Sequence, residues 1–437
     1  MVVIGAGAAG LTAALAAAKA GAQVTLLNAH PRIGLKILMS GGTRCNVTHR
    51  EVSERDYQGG SRPFVARVLR AFPVERTLAW FEELGVALKL EETGKYFPAS
   101  DDANTVLAAL LAAIERAGVT IESGARVIRL ERREPDGYRL GIQMVRSAAT
   151  FEGGGVSRRG EASWPLPAVE PDRWLAADRV VIATGGLSFP RTGSDGVGYS
   201  LVSSLGHTLE PPIPALTPLT SEDPLCAAAQ GTTLDVELSL WAGGKRSERI
   251  PGSMVIAHFG YSGPAALDLS RHWLRSGSRP KVTCNFAPAE TLESFRNAWV
   301  DAARQAPERT VRRHLARWLP ERLGERLAEE AGVDPGARVN QVDRAHRDAV
   351  IAGVIERDLH VIGTLGYEKA EVTAGGVRLS EVDPSTLESR KSAGLYLCGE
   401  ILDVEGRLGG FNFQWSWSSG MVAGQAAASM AATAGID

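Results

Sequence analysis

Apolar residues follow two rhythms along the chain, and these divide it into elements before any composition is counted. Met1 to Ile4 is a continuous apolar run, the pattern of a strand buried on both faces. Gly5-Ala6-Gly7-Ala8-Ala9-Gly10 interrupts it, Leu11 to Ala20 continues as an alanine-rich helix, and Val24 to Leu27 is a second strand. The order is a β-α-β unit whose glycines have separate duties. Gly5 permits the tight turn, Gly7 lets the backbone approach a ligand with no Cβ in the way, and Gly10 lets helix and strand pack closely. Unpaired N–H groups around Ala8 and Ala9 and the positive end of the helix dipole make this start an anion site suited to a dinucleotide pyrophosphate. The second strand ends in Asn28, where an acid would normally accept from the adenosine ribose; the amide oxygen accepts one hydrogen bond but without charge. No charge precedes Lys19, yet the glycines and the lack of a basic start separate this segment from a secretory leader.

Further on, Pro63 to Gly85 repeats apolar residues at helical spacing and is broken by Pro73, which predicts two amphipathic helices. Asn104 to Ala117 reads as another helix and Val119 to Leu130 as a strand pair, with Arg126 a solvated strand-end charge. From Arg146 to Asp178 the period vanishes, which predicts an exposed hairpin or partly disordered insertion. Arg179 to Ala183 is a buried parallel strand running into Thr184-Gly185-Gly186, Asp195 to Gly206 a short helix, and Glu210 to Pro214 a proline-rich linker. Alternating strands then dominate (Leu234 to Leu240, Arg249 to Ala257, Lys281 to Phe286), as in a small antiparallel sheet or barrel. Glu290 to Arg357 is helical, and its arginines interleave with glutamates, the pattern of a salt-bridged solvent face rather than a nucleic-acid patch. Gly394 to Glu400 is a last buried strand, and Ser416 to Ala432 a helix of small residues.

Composition narrows the partners. The 437 residues are 44% hydrophobic and 22% charged, enough for two or three domains. Lys and Arg total 48 against 50 acids, a net charge of -2, which offers no general attraction to nucleic acid or an anionic membrane. Cys45, Cys226, Cys284 and Cys398 lie far apart, with no C-x-x-C and no zinc-like His spacing, so no metal site is expected and a reducing, cytoplasmic location is.

The run Pro31 to Asn46 selects the dinucleotide. Ser40, Gly41 and Gly42, followed by Arg44 and Asn46, form a second cradle of backbone and side-chain donors, suited to a ligand that continues past the pyrophosphate, which points to FAD over NAD. Here the chain resembles the bacterial BaiN-like (YhiN-like) NAD(P)/FAD-dependent oxidoreductases, within the wider glutathione-reductase-like FAD superfamily. The resemblance rests on GLKILMSGGTRCNVT from Gly34, GKYFPASD from Gly94, ATGGLSFPRTGSDGVGY from Ala183, HFGYSGPAALDLS from His258, KAEVTAGGV from Lys369 and GLYLCGEILDVEGRLGGFNFQWSWSSGMVAGQAA from Gly394. It departs at Asn28 and at Thr43, which stands where the family's loop has glycine. The resemblance implies cofactor contacts from Arg32, Lys36, the Ser40 to Asn46 loop, the backbone at Val127, and Ala183, Thr184, Gly185 and Gly186. It also implies Gly399 with Glu400, or Asp403 nearby, on the ribityl hydroxyls. Gly410, Asn412, Phe413 and Gln414 would lead into a helix aimed at the pyrimidine edge of the flavin.

The implied fold is α/β: a Rossmann-like FAD-binding domain (1–210 and 372–437), an inserted antiparallel, barrel-like β domain (211–288 and 351–371) and a helical subdomain (289–350). The implied activity is transfer of hydride from NAD(P)H, docked transiently because no second glycine fingerprint occurs, through flavin N5 to a small organic substrate between the domains. An oxygen-using amine or aminoketone oxidase is the alternative, and a flavin-holding RNA-modification partner a second, disfavoured by the balanced charge. His258 and Tyr261 are the acid or base candidates, with turn capping and packing the competing roles for them. Arg44 is expected to face the flavin or pyrophosphate; Cys45 and Cys398 are read as packed thiols, and Trp415 and Trp417 as core or cleft wall.

Overall fold

The computed structural model describes residues 1–148, 170–277 and 280–429, and divides into two units: 1–214 with 370–437, and 215–369. Its first unit is organised by a five-stranded sheet ordered Leu395–Leu397, Val180–Ile182, Val2–Ile4, Thr25–Asn28, Thr120–Ser123. Every pairing is parallel, with Val2 opposite both Thr25 and Val180. Strands buried on both faces explain the continuous apolar runs. The central strand is the first in sequence; the chain adds Thr25–Asn28 and Thr120–Ser123 on one side of it and later Val180–Ile182 and Leu395–Leu397 on the other, so its carboxyl end is a topological switch point where ligands bind in such sheets.

The first helix, Ala8–Lys19, lies against the C-terminal helix, Phe411–Ser429. A Cβ on Gly420 would stand 2.5 Å from the Ala9 carbonyl oxygen, and one on Gly424 would stand 2.3 Å from that of Ala13. The contact therefore runs backbone against backbone. Because Ala9 meets Gly420 and Ala13 meets Gly424, the helices run parallel, with both N-termini at one end. The C-terminal helix starts nine residues before Gly420 and the first helix one residue before Ala9, so the former overhangs by roughly 12 Å at about 1.5 Å per residue.

Three sequence expectations for this unit are corrected. The presumed linker at Glu210–Pro214 belongs to a strand, Leu209–Ala215, paired with Val372–Val377; prolines are tolerated because the ladder has only two strands. Arg126 is not a solvated strand-end charge: its guanidinium lies 2.5 Å from the buried carboxylate of Asp195. Within the presumed insertion, Arg173–Ala177 pairs with Tyr138–Met144, which pairs in turn with Ala125–Arg132; 149–169 lie outside the described residues.

In the second unit a seven-stranded antiparallel sheet runs in the order Arg357–Asp358, Lys281–Asn285, Thr233–Ala242, Lys245–Ala257, Gly260–Ser262, Leu219–Ser221, Val361–Thr364. Its two outermost strands are separated in sequence by only Leu359 and His360, so the sheet must curl until its edges nearly meet. That is a barrel-like closure, and it leaves little open edge. Helices Leu292–Gln305, Glu321–Glu330 and Arg344–Ile355 share one hydrophobic core with the sheet, through Phe295, Trp299, Leu327 and Val350 beside Leu238 and Ile256. The helical part is thus continuous with the β part. The outer faces carry the expected ion pairs, Arg312 with Glu325 at 2.5 Å and Arg326 with Glu330 at 2.9 Å. Among the described residues no helix is long and apolar enough to cross a membrane.

His314 is fully buried among Phe295, Trp299 and Trp318, and neither ring nitrogen makes a hydrogen bond. Burial, reinforced by Arg317 and Arg309, lowers its pKa to about 4. The folded state therefore binds fewer protons than the unfolded chain, so this group's contribution is fully present above pH 6.5 and declines as pH falls toward 4. The loss at full protonation is roughly 3 kcal/mol. His314→Leu should raise stability and flatten its decline between pH 6.5 and 4, measured by urea unfolding; an unchanged slope would refute this account. Gly424→Val should destabilise by about 3 kcal/mol or more, because the added atoms meet backbone that cannot rotate away.

Candidate functional site

The glycine loop leaves the carboxyl end of the central strand. Gly5 N–H donates to Leu27 O at 2.8 Å and Ala183 N–H to Ile4 O at 2.8 Å, which ties the loop to both neighbouring strands. A Cβ on Gly5 would lie 2.4 Å from Ala183 O, and one on Gly10 would lie 1.7 Å from Gly5 O, so the chain's own packing demands glycine at both. Gly7 is different: a Cβ there meets no protein atom within 4 Å, and its φ of −84° suits any residue. The fold does not require glycine at this position, whereas a pyrophosphate against the backbone does. Ala8 and Ala9 open the helix, no side chain caps it and no acid sits in its first turn. The cradle fits a dinucleotide phosphate.

Asn28 is committed elsewhere than to a ribose. Its Oδ1 accepts from Ala6 N–H at 3.2 Å, and its Nδ2 donates to His30 O at 2.6 Å and Arg32 O at 3.1 Å. The amide thus braces the glycine loop against the turn carrying exposed Arg32, a task that needs a donor and that an acid would fail.

The second cradle ends the helix Leu35–Thr43. Ser40 breaks the helical path, and Gly41, Gly42, Thr43 and Cys45 take positive φ of 57°, 67°, 70° and 62°. Thr43 is β-branched in a left-handed conformation, a costly choice where glycine would be free of strain. Gly41, Gly42 and Thr43 are exposed, leaving their backbone open to a ligand. Arg44 does not point into open space: its guanidinium lies 2.7 Å from Glu91 and 3.3 Å from Asp101, and covers the Phe97 ring at 4.0 Å. It buttresses the loop from behind. Cys45 is buried, and burial pushes its thiol up to about 12, so it is no nucleophile; Cys398 is likewise buried.

A polar cluster lies at the carboxyl ends of the last two sheet strands. Lys36 Nζ donates to Glu400 Oε2 and to Ser188 Oγ, each at 2.7 Å. Glu400 Oε1 accepts from Ser188 Oγ and from Thr373 N–H, each at 2.9 Å. Thr373 Oγ1 accepts from Leu187 N–H at 2.8 Å and from Ser188 N–H at 3.1 Å. Gly186 lets these groups converge, since a Cβ there would lie 2.4 Å from Thr373 Oγ1. Thr184 meets Gly198, and Gly185 turns through a positive φ of 73°. Ser188 and Thr373 were missed from sequence because they lie far apart; the available signal was a hydroxyl beside each glycine pair, in GGLS and VTAGG.

The C-terminal helix begins at Phe411, five residues before the expected start, which changes how its leading residues act. Asn412 closes the preceding turn, accepting from Gly406 N–H at 2.8 Å and donating to Gly406 O at 2.9 Å. Gln414 is fully buried and bonds Thr48, Thr77, Phe72 O and Ser418. It is a core amide, not a ligand contact. Asn46 lies against Gly410, and Phe413 stacks on Trp417. Both tryptophans are buried, donating to Gly399 O and Val47 O. Gly399 is wedged under the first helix, 2.7 Å from the Ala9 methyl were it to carry a Cβ. Asp403 is buried, its backbone pairing with Gly60 and Val377; Val127 is buried in its strand.

The acid and base candidates lie in the second unit. Tyr261 is fully buried and donates to Asp223 Oδ2 at 2.9 Å, and Arg357 grips that carboxylate at 2.6 and 2.9 Å. Burial and the Asp223 charge push its hydroxyl well above the ordinary range. It is a structural donor inside the barrel. His258 is exposed in the turn between two strands, edge-on to Phe259 at 5.2 Å.

The model of the HI0933-like protein Rossmann domain matches residues 1–426. A relative named 3-dehydro-bile acid delta(4,6)-reductase, from Clostridium scindens, is 36% identical over 98% of each chain. Another, a ribosomal RNA dihydrouridine synthase from Escherichia coli, is 32% identical over 97% of this chain and 96% of its own. Among solved structures, a 3-ketosteroid-delta4-(5alpha)-dehydrogenase from Rhodococcus jostii aligns over 98% of this chain and 96% of its own, at 15% identity and a TM-score of 0.45.

The two glycines of the first loop separate fold from ligand. Gly7→Ala should leave the melting temperature of the flavin-free protein within about 1 °C while losing most bound flavin, because its Cβ enters only ligand space. Gly10→Ala should destabilise the flavin-free protein itself. Thermal denaturation with visible absorbance reads both, and full flavin retention by Gly7→Ala would refute the placement.

Proposed function

Because the chain belongs to the HI0933-like family and is an FAD-dependent oxidoreductase, we propose that it reduces a carbon–carbon double bond conjugated to a carbonyl group. One observation carries this reading: the names of two relatives with dissimilar substrates describe the same bond change. A 3-dehydro-Δ4,6 bile acid holds double bonds in line with its ketone, and dihydrouridine is uridine with the double bond beside its carbonyl saturated. Saturating such a bond by hydride transfer places hydride on the carbon remote from the carbonyl and a proton on its neighbour, while the carbonyl draws charge during the addition.

FAD, when bound, supplies a ring that accepts two electrons from one partner and delivers hydride to another. The chain's own residues hold and tune it. Gly7 and the start of the first helix would take the pyrophosphate; Ser40 to Thr43 and the Lys36–Glu400 pair would take the polar stretch beyond. The N-terminus of the C-terminal helix, with no acid in its first turn, favours negative charge beside it. NAD(P)H is the donor in this reading. Among the described residues no second strand–glycine turn–helix unit accompanies the first, so the nicotinamide nucleotide would dock without a domain of its own.

The acceptor in the first reading is a small organic enone, supported by the 36% relative and the net charge of -2. A uridine within RNA is the second reading, supported by the 32% relative. Anaerobic titration with NADH and NADPH, following loss of flavin absorbance, should bleach the protein. Colour should then return on adding a 3-oxo-Δ4,6 steroid, with one equivalent of acceptor reduced per flavin. Return of colour with a uridine-containing RNA and not with the enone would favour the second reading. Persistent colour with both nucleotides, in a protein bleached by amines, would sink both.

A further inference from the structure

A cleft of about 900 Å³ lies on the first unit, between the helix Arg62–Ala71 and the turn that follows the strand Val372–Val377. Phe64 and Leu379 form its apolar floor, and Arg67, Arg70, Arg378 and Arg390 line it with exposed side chains. Arg67 and Arg70 are one turn apart and therefore share a face of their helix. Neither makes an ion pair among the described residues. Arg378 pairs with Glu210 at 3.8 Å and Arg390 with Asp383 at 3.3 Å, both through half-exposed carboxylates, and such pairs neutralise little. Glu210 and the buried Asp403 also line the cleft and Asp383 pairs with Arg390 at its edge, so four guanidinium groups stand against three carboxylates. This local excess of positive charge sits on a chain whose total is -2.

Four guanidinium groups converging over an apolar floor repel one another, and the floor lowers the local dielectric that would otherwise screen them. The arrangement becomes favourable when an anion joins it. Arginine's planar fork matches phosphate oxygens two at a time. A phosphodiester polymer needs a basic track that continues past one cleft. A concave floor with two acids in its wall suits a compact ligand instead. We propose that this cleft binds a small molecule carrying a phosphate or pyrophosphate group, with its apolar part against Phe64 and Leu379. The proposal stands independently of the reaction assigned above.

The test is calorimetric titration of the FAD-loaded protein, whose glycine loop is already filled, with inorganic pyrophosphate at low salt. One site per chain should appear. Its affinity should fall with added salt and drop about tenfold or more in R67Q/R70Q, while R55Q, an exposed arginine outside the cleft, leaves it unchanged. Unaltered flavin absorbance and circular dichroism would certify that the double variant is folded. NADPH binding more tightly than NADH, with the difference lost in R67Q/R70Q, would identify the phosphate as a dinucleotide's; equal nucleotide affinities beside arginine-dependent pyrophosphate binding would assign it to another small ligand. Absence of pyrophosphate binding, or equal binding by the double variant, would overturn the proposal. So would a single-stranded RNA that binds through these arginines while pyrophosphate does not.

Discussion

The first unit depends on one close approach: the first and last helices meet backbone to backbone, at Ala9 with Gly420 and at Ala13 with Gly424. No side chain fits in that contact, so the separation of the helices is set by their backbones and not by adjustable rotamers. The site inherits its precision from this. Two helix N-termini, both free of acids in their first turns, are held parallel and offset by roughly 12 Å along their axes. In the reading proposed above, a ligand with a diphosphate at one end and a ring that gains negative charge at the other would meet two positive dipole ends at a fixed offset. Gly399, wedged beneath Ala9 and donating to Ser419 Oγ, locks the last sheet strand into the same contact. The Lys36–Glu400 cluster is thereby brought to the carboxyl end of the sheet.

Several titratable groups beside the described loops are already engaged. Glu400 is neutralised by Lys36, Arg44 is engaged by Glu91 and Asp101, and the thiols nearest the loops are buried. Asp223, Tyr261 and Arg357 form a satisfied network inside the second unit's barrel, and such a network specifies a core without offering a proton to solvent. A protein built this way positions and tunes a cofactor that brings the reactivity with it. Kinship with relatives of dissimilar named substrates fits that division of labour, because a bond change belongs to the cofactor and substrate choice to the surrounding surface.

Charge is distributed with the same economy. On the helices of the second unit, Arg312 pairs with Glu325 on the next helix and Arg326 with Glu330 one turn away, so part of a conspicuous basic run in sequence is neutralised locally. Arg67 and Arg70 look unremarkable in sequence, yet packing places them beside Arg378 and Arg390, more than three hundred residues away. Sequence density of charge and local potential are different quantities.

Sequence alone determined what depends on short range: the buried parallel strands, the glycine turn, the barrel-forming alternation, the family and its cofactor. The strands, the turn and the alternation rest on periodicity or on a backbone requirement that a few adjacent residues express, and the family on a resemblance carried by motifs in order along the chain. It also separated fold-required from ligand-required glycines in principle, though only Gly7's empty surroundings and the crowding at Gly5 and Gly10 decided which was which. Tertiary structure alone decided the use of each polar side chain. Asn28, Arg44, Gln414 and Tyr261 carry chemistry suited to ligand contact, and each is committed to a partner from another part of the fold. Ser188 and Thr373 joined the site for the same reason. A hydrogen bond is fixed by a distance of about 3 Å between particular atoms, and residues separated by hundreds of positions come within that distance only when the chain is packed.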